Sequence, residues 1–371
     1  MLTRRQLLLT TPAAALAATR KTPPLRPNVV LVLTDNVGAW MLGCYGNQEI
    51  KTPNLDELAR TGMRLQHGFV YAPDAAPSRG MLLSGRTSAQ TGGGGVADLL
   101  TAQGYKCGEG VGFLEQQTAD KPFFAVITPD AAVSQKQVDL YAATSFTTTG
   151  WDPAAKNAAQ GKEMLGDIVA SSRKAAAGVS ALDDQVAALM KRIRERGLQD
   201  KTLVIFTSTC GNLLGRHGLW GAGRASDPVN MYEESIGVPM IWSWPGKIPA
   251  EATTIESVTS YDFLPTICEF AGATVPAGFK GRSYAAIVMR QPLPKKEPWR
   301  NVVFGQLGNT EMVRDSRFKL VLRNGGQGPN ELYDLANDLR ETKNVYDNAE
   351  FLTVRNALTQ EIAGWRQRNA A

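Results

Sequence analysis

An α/β fold, with a doubly wound, mostly parallel sheet followed by a small C-terminal antiparallel α+β subdomain, is what this sequence predicts. Three observations carry that prediction. The runs NVVLVLT (28–34), FFAVIT (123–128), TLVIFTS (202–208) and VPMIWSW (238–244) are apolar almost throughout, as strands buried on both faces must be. Segments with apolar residues at three- and four-residue spacing alternate with them, which is the signature of strand–helix–strand units. From about residue 300 the pattern becomes short alternating runs separated by turn residues, which suits antiparallel pairing.

In chain order, MLTRRQLLLTTPAAALAATR comes first. Arg4-Arg5 precede a short apolar run from Leu7 and a small-residue cleavage site at Ala15-Leu16-Ala17. Residues 1–18 read as an export signal, twin-arginine-like or an ordinary secretory one. Both readings place the mature chain in the periplasm or outside the cell. The run is too short to span a bilayer, and nothing later has that length. The α/β domain is expected over 26–298. Its first helix starts at Thr52-Pro53-Asn54 and stops at Gly62; another carries Val179, Leu182, Val186, Leu189 and Ile193 and stops at Gly197, a residue suited to the left-handed cap. Residues 131–165, rich in Ala, Thr and Gln, read as a long mobile loop. NVVFGQ, EMVRD, FKLVLR and ELYDL form the C-terminal subdomain over 299–371, closed by a helix through Val354, Leu358, Ile362 and Trp365.

Composition narrows the function. The 371 residues carry a net charge of +5, with 43% hydrophobic and 20% charged residues, an ordinary globular balance. No basic run or aromatic-interleaved basic patch stands out, so nucleic acid is not an expected partner. Two histidines, His67 and His217, rule out a multi-histidine metal site. Cys44, Cys107, Cys210 and Cys268 are widely separated, and their spacing fixes no disulfide pairing.

The blocks RPNVVLVLTDN, GCYGNQEIKTPNLDELARTGMRLQHGFV, PSRGMLLSGR, GRHGLWGAG, SYDFLPTICEFAG and ELYDLANDLRETKNV occur in the order found in the sulfatases of the alkaline phosphatase superfamily, and the chain resembles that family over nearly all of its mature length. The resemblance implies a sulfuric ester hydrolase scaffold. In that family a cysteine in a C-x-P-S-R motif becomes formylglycine, whose hydrate attacks sulfur. A divalent cation, usually Ca2+, is held by two acids after the first strand and an Asp-Asn or Asp-His pair after a later one.

Position by position the match fails at the chemistry. Ala75 stands where the nucleophile belongs, and a methyl group can neither be oxidised to formylglycine nor attack. Pro77, Ser78 and Arg79 keep the rest of the motif. Asp35 matches the first acid, but Asn36 takes the place of the second. Thr209 and Cys210 stand at the second metal-binding pair. Gly112, Leu114, Val133 and Ala222 replace lysines and histidines that bind sulfate, whereas His217 is kept. A lone carboxylate among neutral donors, one of them a soft thiol, suits Ca2+ poorly.

Several residues keep a second reading. Asp35-Asn36 serve as cation ligands or as a turn pair after the strand. Arg79 holds an anion or is paired inside the domain. Ser78 lies a turn too deep to replace the nucleophile. Cys210 reads as a small replacement residue, His67 as a satisfied core or edge histidine, Asp183-Asp184 as a helix surface, Asp262 as a helix start, and Gly92–Gly95 as a flexible turn. The expected function is a catalytically inactive sulfatase-fold protein that binds a ligand, a sulfated carbohydrate or aryl sulfate. The alternative is a sulfate or phosphate ester hydrolase with a rebuilt metal site using Asp35, Asn36, Asp74, Asp130 or Arg79.

Overall fold

The computed structural model describes residues 25–87, 94–130, 132–150, 152–279, 281–293, 295 and 297–369. The stretch read as an export signal and Gly92-Gly93 lie outside these. The chain runs β1 (Asn28–Thr34), α1 (Pro53–Arg60), β2 (Met63–Phe69), α2 (Ala75–Ser84), α3 (Val96–Ala102), β3 (Lys106–Glu109), α4 (Gly110–Glu115) and β4 (Phe123–Ile127). Then come α5 (Gln135–Asp139), α6 (Lys162–Leu165), α7 (Ile168–Glu195), β5 (Thr202–Ser208), α8 (Glu233–Ile236), β6 (Met240–Ser243), β7 (Ala252–Thr259), α9 (Phe263–Ala271) and α10 (Ala285–Val288). The C-terminal part holds β8 (Val303–Leu307), β9 (Thr310–Arg314), β10 (Phe318–Arg323), β11 (Glu331–Asp334) and α11 (Leu352–Asn369).

Seven strands form one sheet in the order β3-β4-β1-β5-β6-β2-β7. All pairings are parallel except those of β6, which runs against both β5 and β2. The uninterrupted apolar runs follow from this position. Along β1, Val29, Leu31 and Leu33 pack with the α2–α3–α9 side, while Val30 and Val32 pack with α1 and α7 on the other. Successive side chains of a strand point to opposite faces, so a strand covered twice is apolar through its middle and keeps its polar residues, such as Asn28, Thr34, Thr202 and Ser208, at the ends.

Four strands, β11-β10-β9-β8, form the second sheet, antiparallel throughout. One face is covered by α11 through Leu358 and Ile362. The other docks Val303, Met312 and Val321 on Phe69, Val70, Ile236 and Val238 of the first domain. Buried in this joint, Lys319 donates to the Met231 carbonyl at 2.6 Å and to Glu233 at 3.1 Å and also pairs with Glu341.

Two expectations need correcting. Segment 131–165 is not a free loop: it contains α5 and α6, buries Tyr141 and Phe146, and is tied to Glu49 by the Thr147 and Thr148 N–H groups at 2.6 and 3.0 Å. Asp183 is not on a helix surface. It is buried on α7 and accepts from the backbone N–H of Asn54 and Leu55 at 3.2 and 2.7 Å and from the Asn54 side-chain amide at 2.7 Å. These donors open α1, whose first N–H groups have no partner within the helix; burial raises the Asp183 carboxyl above its ordinary value against the pull of these bonds. Its neighbour Asp184 is exposed and pairs with Lys136.

Candidate functional site

Strand register builds the first half of the site. β1 and β5 are neighbours, paired through Thr34 and Ser208 at their C-terminal ends. The next residues, Asp35 and Thr209, must then stand side by side at the edge where open α/β sheets carry their ligand crevice. The Thr209 N–H donates to the Thr34 carbonyl at 2.9 Å, and its hydroxyl donates to Asp35 Oδ1. Asn36 turns the chain with φ +58°, a left-handed conformation that asparagine tolerates. Its side-chain oxygen accepts from the Cys210 thiol at 3.4 Å. Cys210 is buried, and burial pushes its thiol up to about 11, with the charges of Asp35 and Asp74 pushing the same way. The thiol is therefore neutral at pH 7.

The second half is the start of α2. Asp74 precedes the helix in an extended conformation (φ −153°), Ala75 opens it, and Gly85 ends it with φ +65°. The Asp74 carboxylate makes no cap bond to its own helix but takes an ion pair from Arg224 Nε. The 223 loop can lie this close because residue 223 is glycine: a Cβ there would meet Pro73 at 2.6–2.8 Å. Ser78 is buried. Arg79 donates to Glu109 Oε1 at 3.0 Å and to the Thr128 hydroxyl at 3.4 Å.

The remaining predicted positions scatter. Gly112 is exposed on α4, while Leu114 on the same helix is fully buried in the core. Val133 is exposed, and Ala222 is half-buried with its carbonyl taken by the Asn230 amide at 3.0 Å. His217, with φ +57°, stacks on Tyr232 with ring centroids 3.8 Å apart. Its Nε2 lies 3.5 Å from Glu234 Oε2, too far for a strong hydrogen bond, while Arg216 donates to Glu234 Oε1 at 3.0 Å. Burial works to raise the Glu234 carboxyl, but His217 and Arg216 more than offset it and hold it at about 2. His67 donates from Nδ1 to the Ile255 carbonyl (2.9 Å), and Asp262 precedes α9, with burial pushing its carboxyl up to about 7. All four cysteines are free.

The family's sequence model, Sulfatase, matches residues 27–108 and 107–273, and the C-terminal model of N-sulphoglucosamine sulphohydrolase matches 221–368. This chain belongs to the sulfatase family. The chain is 29% identical to human arylsulfatase A over 353 residues, covering 73% of this chain and 68% of that protein. It is 22% identical to an N-acetylglucosamine-6-O-sulfatase of Bacteroides thetaiotaomicron over 494 residues, covering 94% and 87%. A solved sulfatase-fold structure in complex with D-glucosamine-2-N,6-O-disulfate superposes with a TM-score of 0.78 at 20% identity, covering 93% of this chain and 98% of that one. The phosphonate monoester hydrolase of Agrobacterium radiobacter does so at 0.77 and 18%, covering 93% and 96%. At those identities the two superpositions speak to the fold.

Sulfatases as a family use a divalent metal, and the donor set here does not fit one. Among the described residues no group of three or more His, Cys, Asp or Glu side chains is placed to hold an ion. Asp35 already accepts the Thr209 hydroxyl, Asn36 accepts the thiol, and Asp74 is neutralised by Arg224. A hard dication needs charged oxygens, and its affinity falls as these are replaced by neutral donors or tied up by internal partners.

Three groups at the site escaped the sequence reading: Arg224, Glu109 and Thr128. Arg224 stands two residues beyond Ala222, the position of the replaced lysine, and that nearby positive charge was the available signal. Glu109 and Thr128 end β3 and follow β4, and only strand pairing brings them to Arg79.

Proposed function

We propose that this sulfatase-family protein does not hydrolyse sulfate esters and instead binds a sulfated ligand outside the cytoplasm. The observation that carries the reading is the entry of α2. Ala75 has no atom that can attack sulfur, and the side chains at the family's metal and nucleophile positions are satisfied by one another or by neighbours: Thr209 on Asp35, Cys210 on Asn36, Arg224 on Asp74. Loss of an essential nucleophile alone lowers rate by several orders of magnitude. The group the site keeps for an anion is Arg79, whose ion-pair partner Glu109 is exposed. A guanidinium offers five N–H donors, and among the described residues two hydrogen bonds engage that of Arg79. Sulfated sugars are the ligands named for several relatives, and a sulfated carbohydrate or aryl sulfate is the class proposed here.

The purified mature protein is expected to carry no stoichiometric calcium or magnesium, to turn over neither aryl sulfate nor phosphate esters above background, and to bind sulfated ligands in an Arg79-dependent manner. Turnover that disappears in Arg79→Ala would overturn the inactive reading in favour of a rebuilt hydrolase. Ala75→Cys alone is expected to leave the protein inactive even when a formylglycine-forming enzyme is co-expressed, because the cation ligands and proton donors are also replaced. N-terminal sequencing of the exported protein tests the cleavage after Ala17 or Ala18.

A further inference from the structure

The outer face of α2 borders a cleft of about 630 Å3, within the size range of small-ligand pockets. Leu83 on α2, Ala97 on α3 and Phe124 and Val126 on β4 line it, and Gly80 leaves it open on the helix side. β3 is the edge strand of the large sheet, so the cleft opens beside that edge. Its polar atoms are largely consumed. The Ser84 hydroxyl donates to the Gly80 carbonyl at 2.7 Å, and the Cys107 thiol sits between the Ala97 carbonyl and the Thr101 hydroxyl, both at 3.4 Å. The charged groups in its lining are Arg79 and its partner Glu109.

We propose that this cleft takes the body of the ligand, and that the ligand is an organic anion with an apolar body, its charged head on Arg79 and its hydrocarbon along α2. The proposal rests on the reading of Arg79 as the anion holder and makes it specific. A sugar placed there would strip water from its hydroxyls with few groups to replace it, which costs binding. A flat hydrocarbon leaves water for Leu83, Ala97 and Cys107, above a floor of buried Phe124 and Val126, at a gain. Glu109, its side chain two-thirds exposed, swings into solvent when the anionic head displaces it.

The test is calorimetric titration of the full mature chain with naphthalene-2-sulfonate, methanesulfonate and glucosamine 6-sulfate, none of which needs turnover to be read. Naphthalene-2-sulfonate is expected to bind at least about tenfold tighter than methanesulfonate, from apolar area alone. Gly80→Phe should remove that advantage. A Cβ at Gly80 meets nothing within 4 Å, so the ring fills the cleft without disturbing the helix. Arg79→Ala should weaken naphthalene-2-sulfonate by about tenfold, as loss of a charge-assisted contact does. Independently of any variant, naphthalene-2-sulfonate should slow alkylation of Cys107 and leave Cys44 unaffected. Equal binding of the two sulfonates, or tighter binding of glucosamine 6-sulfate, would overturn the cleft assignment and leave the anion reading standing. Binding that survives Arg79→Ala but not Gly80→Phe would overturn the anion reading, and with it the placement of the head. Absence of binding by all three would overturn both.

Discussion

Consider the double variant Asn36→Asp, Thr209→Asp, which returns two carboxylates to the strand ends beside Asp35. The Thr209 hydroxyl touches Asp35 Oδ1, so an aspartate at 209 sets a second negative charge within about 4 Å. Two like charges at about 4 Å repel by about 4 kcal/mol at an effective dielectric of about 20. Asp35 is exposed while Thr209 is buried, so water screens one side of the pair and the penalty is about 2 kcal/mol. With an unfolding entropy of about 2.1 cal/mol/K per residue, the 371-residue chain should melt roughly 1–3 °C lower in EDTA. Calcium should reverse the order. Saturation at about 100 times Kd stabilises by about 2.7 kcal/mol, enough to lift the variant above the wild type, whose own melting point stays unchanged. Differential scanning calorimetry in EDTA and across a calcium titration reads both effects. A wild-type melting point that rises with calcium as much as the variant's would refute the reasoning, because the native donors would then suffice. Absence of any drop in EDTA would refute the geometry.

Other expectations follow from the same contacts. Asp183→Ala strands three donors at the start of α1, one buried and two half-buried, and should cost about 2–3 kcal/mol in chemical denaturation, with Asp183→Asn milder because an acceptor remains. Gly80→Ala should stabilise α2 by about 1 kcal/mol, since the added methyl meets no atom. Glu234, held at about 2 in the fold from an ordinary value near 4.5, contributes stability that is fully present above pH 4.5 and lost as pH falls toward 2. A tenfold change in proton affinity on folding is worth about 1.4 kcal/mol, so acid unfolding of the wild type should be steeper between pH 4.5 and 2 than that of Glu234→Gln, by up to about 3 kcal/mol in total.

Legibility tracked the range of the interaction. β1 and β5 were readable to the residue because a strand covered on both faces is apolar through its middle, and both runs are bounded by polar residues. The four C-terminal strands and α11 were readable because their turns and periodicity are local. Asp183 misled because a carboxylate between the apolar stripe positions of a helix reads as solvent-facing, whereas α7 buries residues on more than one stripe and Asp183 meets the end of another helix. Tyr141 and Phe146 anchor a stretch that lacks periodicity, which pattern reading cannot detect.

At the site, residue identity alone was decisive for the chemistry: no folding can make Ala75 a nucleophile or give Asn36 a charge. That much is a property of covalent structure, fixed before the chain folds. Which charges remain usable was a matter of three-dimensional proximity. Arg224 reaches Asp74 across 150 positions of sequence, Arg79 finds Glu109 across 30, and the hydroxyl of Thr209 finds Asp35 across 174. Coulomb and hydrogen-bond energies depend on distances of a few ångströms, and those distances are set by strand register and loop packing, which no stretch of the linear chain encodes by itself.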